Sequence, residues 1–322
     1  MMRRGALRSL LIFGLCWHAC SDVQAEAVPS ELEEHWRRIA PRCESNYWNF
    51  PAKRDGSECD DGDVTLFAGL LCYSGEQAGC EAVSDAQDSN GRWFRSPRRK
   101  ATNNLNKPNS FSPDMALGAQ LYIVATRNIH ALQSWLNWMD NARPCWIGTG
   151  DNCLRGPFLR FCPDDNEGGC TVRPTDAALM WALSDRFNVW PPETNTQNLF
   201  RQAGSNFATM IWLDSQLNKP GYSQHLVAVE ILLLRALGYN SNDLLERAAQ
   251  SLSARQPRNP FFAYLAFGRT AAVRDLVVSQ CPGLGETPPV TDEWAWERSD
   301  DQEAWKKSMV WDCIFMANLL KR

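Results

Sequence analysis

The chain has only four histidines in 322 residues and no C-x-x-C pair, so a structural zinc site of ordinary Cys/His spacing has little to be built from. It lacks a G-x-S-x-G elbow, a G-x-G-x-x-G turn and a P-loop, which argues against an elbow-type serine hydrolase and against a nucleotide-dependent enzyme. There is no basic excess: 33 Lys and Arg stand against 37 Asp and Glu, a formal charge of −4, which excludes a general nucleic-acid binder with its broad basic face. Alternating strand patterns are nearly absent. Beyond the first 25 residues no run is long and apolar enough to span a bilayer.

What is present begins with a leader. Arg3, Arg4 and Arg8 precede an apolar run from Leu10 to Trp17, and small and polar residues lead to Val23-Gln24-Ala25. Basic, apolar and small segments in that order read as a secretion signal cleaved after Ala25. A rival reading places a lipid on Cys20, which the bulky Trp17 and His18 before it disfavour. The expectation is a periplasmic or secreted protein with one α-helical domain over residues 26–322.

Twelve cysteines fit that compartment, ten of them after the leader. Cys72/Cys80, Cys145/Cys153 and Cys162/Cys170 share a spacing of eight, each across a polar loop containing Gly or Asp. Cys43/Cys59 and Cys281/Cys313 complete the simplest set of pairs, although spacing alone leaves many other connectivities open.

Helical periodicity dominates the remainder and predicts about eleven helices. Ser30 and Glu33 form a capping-box pattern, Asp63 precedes Leu66, Phe67, Leu70 and Leu71, and Ser112-Pro113 opens a run through Met115, Leu117 and Leu121. Single helices are expected over Thr196–Leu217 and from Gln302 to Leu320. Long loops over 44–61, 74–110, 143–173 and 283–301 would lie between antiparallel helical neighbours. The fold class is therefore mainly α, a ring or stack of antiparallel helical hairpins with long, disulfide-clamped loops.

Acidic residues cluster where such loops enter helices. Asp60-Asp61-Gly62-Asp63 sits at one entry, Asp114 at another and Asp176 at a third. Helix capping accounts for one aspartate at each entry, but three crowd the first, and close carboxylates raise one another's pKa. Glu297 lies near Glu293 in a loop with Trp294 and Trp296, where apolar walls would favour a protonated acid. Arg92, Trp93 and Arg95 alternate cations with an aromatic face suited to an acidic sugar. For each of these the plainer alternative is packing and surface ion pairing.

Helical hairpins with acidic and aromatic loops at one end resemble the α/α-toroid, or six-hairpin glycosidase-like, superfamily. Asp60-Asp61-Gly62-Asp63 is similar to the Asp-Ala-Gly-Asp motif of one inverting cellulase family, in which an aspartate activates water; Asp61 departs from it by replacing the small residue. The resemblance implies a carbohydrate-active enzyme, a glycoside hydrolase or polysaccharide lyase, acting on a polysaccharide or oligosaccharide without metal or cofactor. Asp61 or Asp63 would then be the base and Asp114 or Glu297 the acid, with Arg92, Trp93, Arg95, Trp294 and Trp296 holding the sugar. A lyase would instead pair a neutralising arginine such as Arg95 with His130 or a tyrosine. The alternative is a non-catalytic envelope protein that binds a glycan or a protein partner.

Overall fold

The computed structural model describes residues 27–322 apart from 56–57, 149–151, 153, 157, 166–167, 241, 289–292 and 298–302, so the expected leader and Cys20 lie outside the described residues. Fifteen α-helices and three short hairpins make up the described chain. The first helix, α1 (Ser30–Ile39), leads into hairpins β1 (Arg42–Glu44) with β2 (Asn49–Pro51) and β3 (Lys53–Asp55) with β4 (Glu58–Asp60). Three-residue strands are too short to leave a visible alternation, and the sequence reading passed over them.

Next come α2 (Val64–Ser74), α3 (Gln77–Asp85), α4 (Pro97–Ala101), α5 (Pro113–Thr126) and α6 (Ile129–Asn141). A hairpin of β5 (Cys145–Ile147) with β6 (Leu154–Arg155) precedes α7 (Pro174–Phe187), α8 (Thr194–Gly204), α9 (Phe207–Leu217) and α10 (Tyr222–Ala236). The chain ends with α11 (Asp243–Arg255), α12 (Pro260–Phe267), α13 (Ala271–Gln280), α14 (Ala304–Lys307) and α15 (Trp311–Lys321). No described helix is long and apolar enough to cross a membrane.

Asn128, Asn242, Asn259 and Thr270 cap their helices by accepting from backbone N–H groups of the first turn. The capping box expected at Ser30 does not form; Pro29 occupies the cap and Ser30 is the first helical residue. The single helix expected over Thr196–Leu217 is broken at Ser205-Asn206, and Gly204 before the break lies so close to Trp181 of α7 that a Cβ there would be 2.2 Å from the indole. The last expected helix is divided as well. Val310 takes a left-handed conformation (φ 59°) that a β-branched residue rarely adopts, and this separates α14 from α15. Helices α3 and α4 fall in a segment expected to be loop, since one has few large apolar residues and the other is a single basic turn.

Four disulfides join Cys43–Cys59, Cys72–Cys80, Cys162–Cys170 and Cys281–Cys313, as in the simplest set of pairs. Cys145 is also disulfide-bonded, while its expected partner Cys153 lies outside the described residues. The grouping of Cys162, Cys170 and Asp164 is accordingly a disulfide beside a carboxylate and offers no thiolate to a metal.

Burial divides the helices into two kinds. Every residue of α2 except Tyr73 is buried, and α5, α7, α10 and α15 are buried along most of their length. Helix α12 is likewise mostly buried, whereas α1, α6, α8 and α11 present one face to solvent. The buried helices pack on one another, α2 against α5 and α15, and α10 against α5, α7 and α12. Each also packs on a half-exposed neighbour: α2 on α3, α5 on α6, α7 on α8, α10 on α11, α12 on α13 and α15 on α1.

The tightest of these contacts is the crossing of α2 and α5. A Cβ added to Gly118 would sit 2.0 Å from the Thr65 carbonyl oxygen, and one added to Gly69 would sit 2.2 Å from that of Gly118. Backbone meets backbone there, so no side-chain rotation can relieve an added methyl. Gly118→Ala is therefore expected to destabilise the fold by at least ~1–3 kcal/mol, read as a lowered midpoint in denaturant unfolding, and to force apart the starts of α2 and α5.

Candidate functional site

The N-terminal ends of α2, α5, α7 and α10 converge. They carry Asp63, Asp114, Arg173 and Tyr222, and three of these four line a cavity of about 450 Å³ together with Arg95 and Asn109. Within it the Tyr222 hydroxyl donates to Asp114 Oδ2 at 2.5 Å. Burial, reinforced by the Asp114 and Asp63 carboxylates, pushes the Tyr222 pKa far above the ordinary phenol value, so the hydroxyl remains a donor at any physiological pH.

Asp63 and Ser112 occupy the cap positions of α2 and α5, yet neither side chain caps its helix. Both are turned toward Arg95. Its guanidinium donates to Asp63 Oδ1 at 3.3 Å, to the Gly62 carbonyl at 2.9 Å and to Ser112 Oγ at 3.0 Å. Two further bonds reach the carbonyl of Asn109 at 2.8 Å and its side-chain oxygen at 3.2 Å. One cation thus fastens the entry of α2 to the entry of α5.

Behind Arg95 lies a second cation. Lys53 opens β3 with its side chain buried, and its Nζ is 3.2 Å from Asp60, 3.5 Å from Asp63 and 3.4 Å from Glu297. Burial opposes the charge on Lys53, but Glu297, Asp63 and Asp60 outweigh it and hold the ammonium pKa above its ordinary value. The carboxyls shift upward too, which for them favours the neutral form. Burial raises the pKa of Asp63, which Lys53 pulls back and the Asp114 charge pushes up again. Glu297 is likewise raised by burial against the pull of Lys53 and of the Trp294 N–H, which donates to it at 2.6 Å. Asp312, fully buried at the start of α15, accepts from the Ala295 N–H at 2.7 Å and so fixes the turn that carries Glu297.

The sequence candidates are distributed unevenly. Asp114 and Arg95 line the cavity, and Asp63 and Glu297 stand behind it in the network around Lys53. Asp61 does not line it. That side chain is fully buried and accepts from Arg98 (2.7 and 2.9 Å), Arg99 (2.9 Å) and Ser96 (2.6 Å). Burial works against its charge, yet these partners prevail and keep its carboxyl below the ordinary aspartate value. An aspartate committed in this way anchors α4 to the start of α2.

Trp93, expected to offer a sugar a flat face, is fully buried among Phe111, Tyr122 and Trp135. Trp294 is also buried, stacked on Phe67 with ring centroids 3.7 Å apart. In both cases an aromatic in a presumed loop closes a core instead. Arg92 lies over the Phe94 ring and ties Ser110 to Asp164, away from the cavity. His130 is exposed on α6, and the side chain of Trp296 lies outside the described residues.

The sequence reading missed Tyr222, Lys53, Asn109, Arg173 and Glu230. Tyr222, Leu226 and Glu230 recur every fourth residue of α10, so they share the face whose first two members line the cavity. Glu230 is buried, and its Oε2 has no hydrogen-bond partner. Arg173 makes a bidentate pair with Asp176, at 2.9 and 3.1 Å, while keeping more than half of its own side chain exposed. Compared with protein-family models, curated proteins and solved structures, the chain matches none.

Burial, followed by the Asp176 and Asp214 charges and against the pull of Arg173, raises the Glu230 pKa from 4.5 to about 8. The unfolded chain therefore sheds this proton near pH 4.5 while the folded chain keeps it to about pH 8. The folded state binds more protons across that window, so the contribution to stability is complete below it and is lost as pH rises through it. The loss is on the order of 5 kcal/mol, at about 1.4 kcal/mol per pKa unit. Glu230→Gln is expected to flatten this pH dependence of the unfolding free energy, measured by denaturant titration from acid to mildly alkaline pH.

Proposed function

We propose that the protein is a carbohydrate-active enzyme, a glycoside hydrolase exported from the cytoplasm, with Asp114 and Asp63 as its working carboxyls. The observation that carries this reading is the Asp114–Tyr222 pair inside the cavity, electrostatically coupled to a second carboxyl of raised pKa, Asp63. Tyr222 orients Asp114 and leaves its other oxygen open to activate a water. Asp63 retains a proton into a higher pH range than a free aspartate, as a general acid must when it protonates a glycosidic oxygen. Glu297, raised for the same reason and bound to the same lysine, is the alternative donor.

The ring arrangement is part of the proposal. Its support lies in the two kinds of helix, largely buried ones packed on each other and each backed by a half-exposed neighbour, with the chemistry gathered at the buried helices' N-terminal ends. Positive helix ends steady carboxylates there. Arg173, largely exposed at the cavity wall, gives the site a cation for a uronic acid substituent.

The test is turnover on a panel of neutral and uronate-containing polysaccharides, followed by reducing-end release. Asp114→Asn is expected to lower kcat by ~10²–10⁴-fold with little change in KM, whereas Asp61→Asn should lower thermal stability by ~3 kcal/mol and leave turnover of the folded fraction near normal. Unsaturated product ends would reassign the site as a lyase using Tyr222 and Arg95. Binding without turnover would favour the non-catalytic glycan-binding alternative. Full activity in both Asp114→Asn and Tyr222→Phe would remove the proposal.

A further inference from the structure

A second cavity lies on the other side of the β3–β4 hairpin. Successive strand residues point to opposite faces; Lys53 turns inward to the carboxylates, and Arg54 after it lines a separate space of about 400 Å³. Arg37 and Arg38 from the last turn of α1 and Arg42 from β1 line the same space, and Glu44 is the one carboxylate among its lining residues. Arg37 pairs with Glu76, and Arg42 is held over the Trp311 ring by a bond to Asn49 Oδ1 at 2.5 Å. Arg38 is exposed, and among the described residues no carboxylate pairs with it.

Arg37 is offset by Glu76 and Arg54 has a partner of its own, which leaves Arg38 and Arg42, beside Glu44, as the cations that repel one another here, on a chain of net negative charge. Self-repulsion of this kind is relieved by an anion. The planar fork of arginine matches a carboxylate or sulfate with two parallel hydrogen bonds. Ile39 and Met309 give the same cavity an apolar side on which the face of a ring could rest. The geometry points to a second saccharide site here, separate from the Asp114 cavity, that holds a carboxylated or sulfated stretch of a polysaccharide. It rests on the reading of the protein as carbohydrate-active, and deepens it by assigning an anionic substrate class.

The experiment uses the full chain carrying Asp114→Asn, so that turnover does not consume the probe. Retardation of this protein in gels containing polygalacturonate is compared with gels containing dextran or polyglutamate. The expected result is retardation by polygalacturonate alone, weakened tenfold or more by adding Arg38→Ala and Arg54→Ala and screened by salt. Arg38→Glu alone should weaken it in the same direction, and unchanged thermal melting of each variant establishes that the fold is intact. Equal retardation by polyglutamate, displacement of the polymer by inorganic phosphate alone, or unchanged retardation in the arginine variants would each overturn the assignment. Failure of the hydrolase reading would register elsewhere, as undiminished turnover in Asp114→Asn.

Discussion

The guanidinium of Arg95 is the joint on which the candidate site depends. It reaches Gly62 and Asp63 at the entry of α2, and Asn109 and Ser112 at the entry of α5. Those two helices cross at Gly69 and Gly118 with backbone against backbone. The separation of their N-terminal ends is therefore set twice, by a close crossing within the core and by one cation at the rim. Helix ends normally satisfy their own N–H groups with a side chain at the cap. Here the cap residues Asp63 and Ser112 face Arg95, and the first turns forgo that local stabilisation to hold a longer-range arrangement. Local rules set aside in this way are characteristic of sites where geometry serves chemistry.

The same trade explains what could be read from the sequence. Helix existence was legible because apolar periodicity and Asn, Thr or Pro at helix starts are local signals, as at Asn259-Pro260 and Thr270. Disulfide partners were legible because short spacings favour local closure, as at Cys72–Cys80 and Cys162–Cys170. Asp63 and Asp114 stood out because acidic residues at loop-to-helix boundaries have both a capping and a catalytic use. Tyr222 and Lys53 did not stand out. A tyrosine after glycine and a lysine in an irregular stretch acquire meaning only from partners 108 and 244 residues away, Asp114 and Glu297. The aromatic candidates misled for a related reason: Trp93 and Trp294 lie outside regular helices, yet they fill gaps between helices that no local pattern announces.

Charge balance makes the arrangement consistent. Asp60, Asp63 and Glu297 meet one buried lysine, so the carboxyls outnumber the ammonium, and burial penalises each charge separately. The lysine is held charged by the excess of anions. Burial shifts Asp63 and Glu297 upward against the pull of that lysine and, for Asp63, of Arg95 as well. A carboxyl of raised pKa thus shares an electrostatic network with one that accepts a tyrosine hydrogen bond. Asp61 shows the contrary case two residues before Asp63. Two arginines and a serine satisfy it completely, its pKa falls, and its chemistry is spent on anchoring. Sequence proximity therefore says little about role; burial and the ratio of cations to carboxyls around each side chain decide it.

That ratio also separates the two faces of the β3–β4 hairpin. On the Lys53 side carboxyls exceed cations, which suits proton transfer; on the Arg54 side cations exceed carboxyls, which suits holding an anion. The strand pleat places these opposite environments on adjacent residues without any change of fold. Cys59, opposite Arg54 in the ladder, is bonded to Cys43 of β1, so the hairpin bearing both faces is tied covalently to the strand that supplies Arg42. A polymer held on the cationic face would thus be held by the same covalently braced hairpin that positions Lys53 against Asp63. Binding on one side and acid–base geometry on the other would share one mechanical frame.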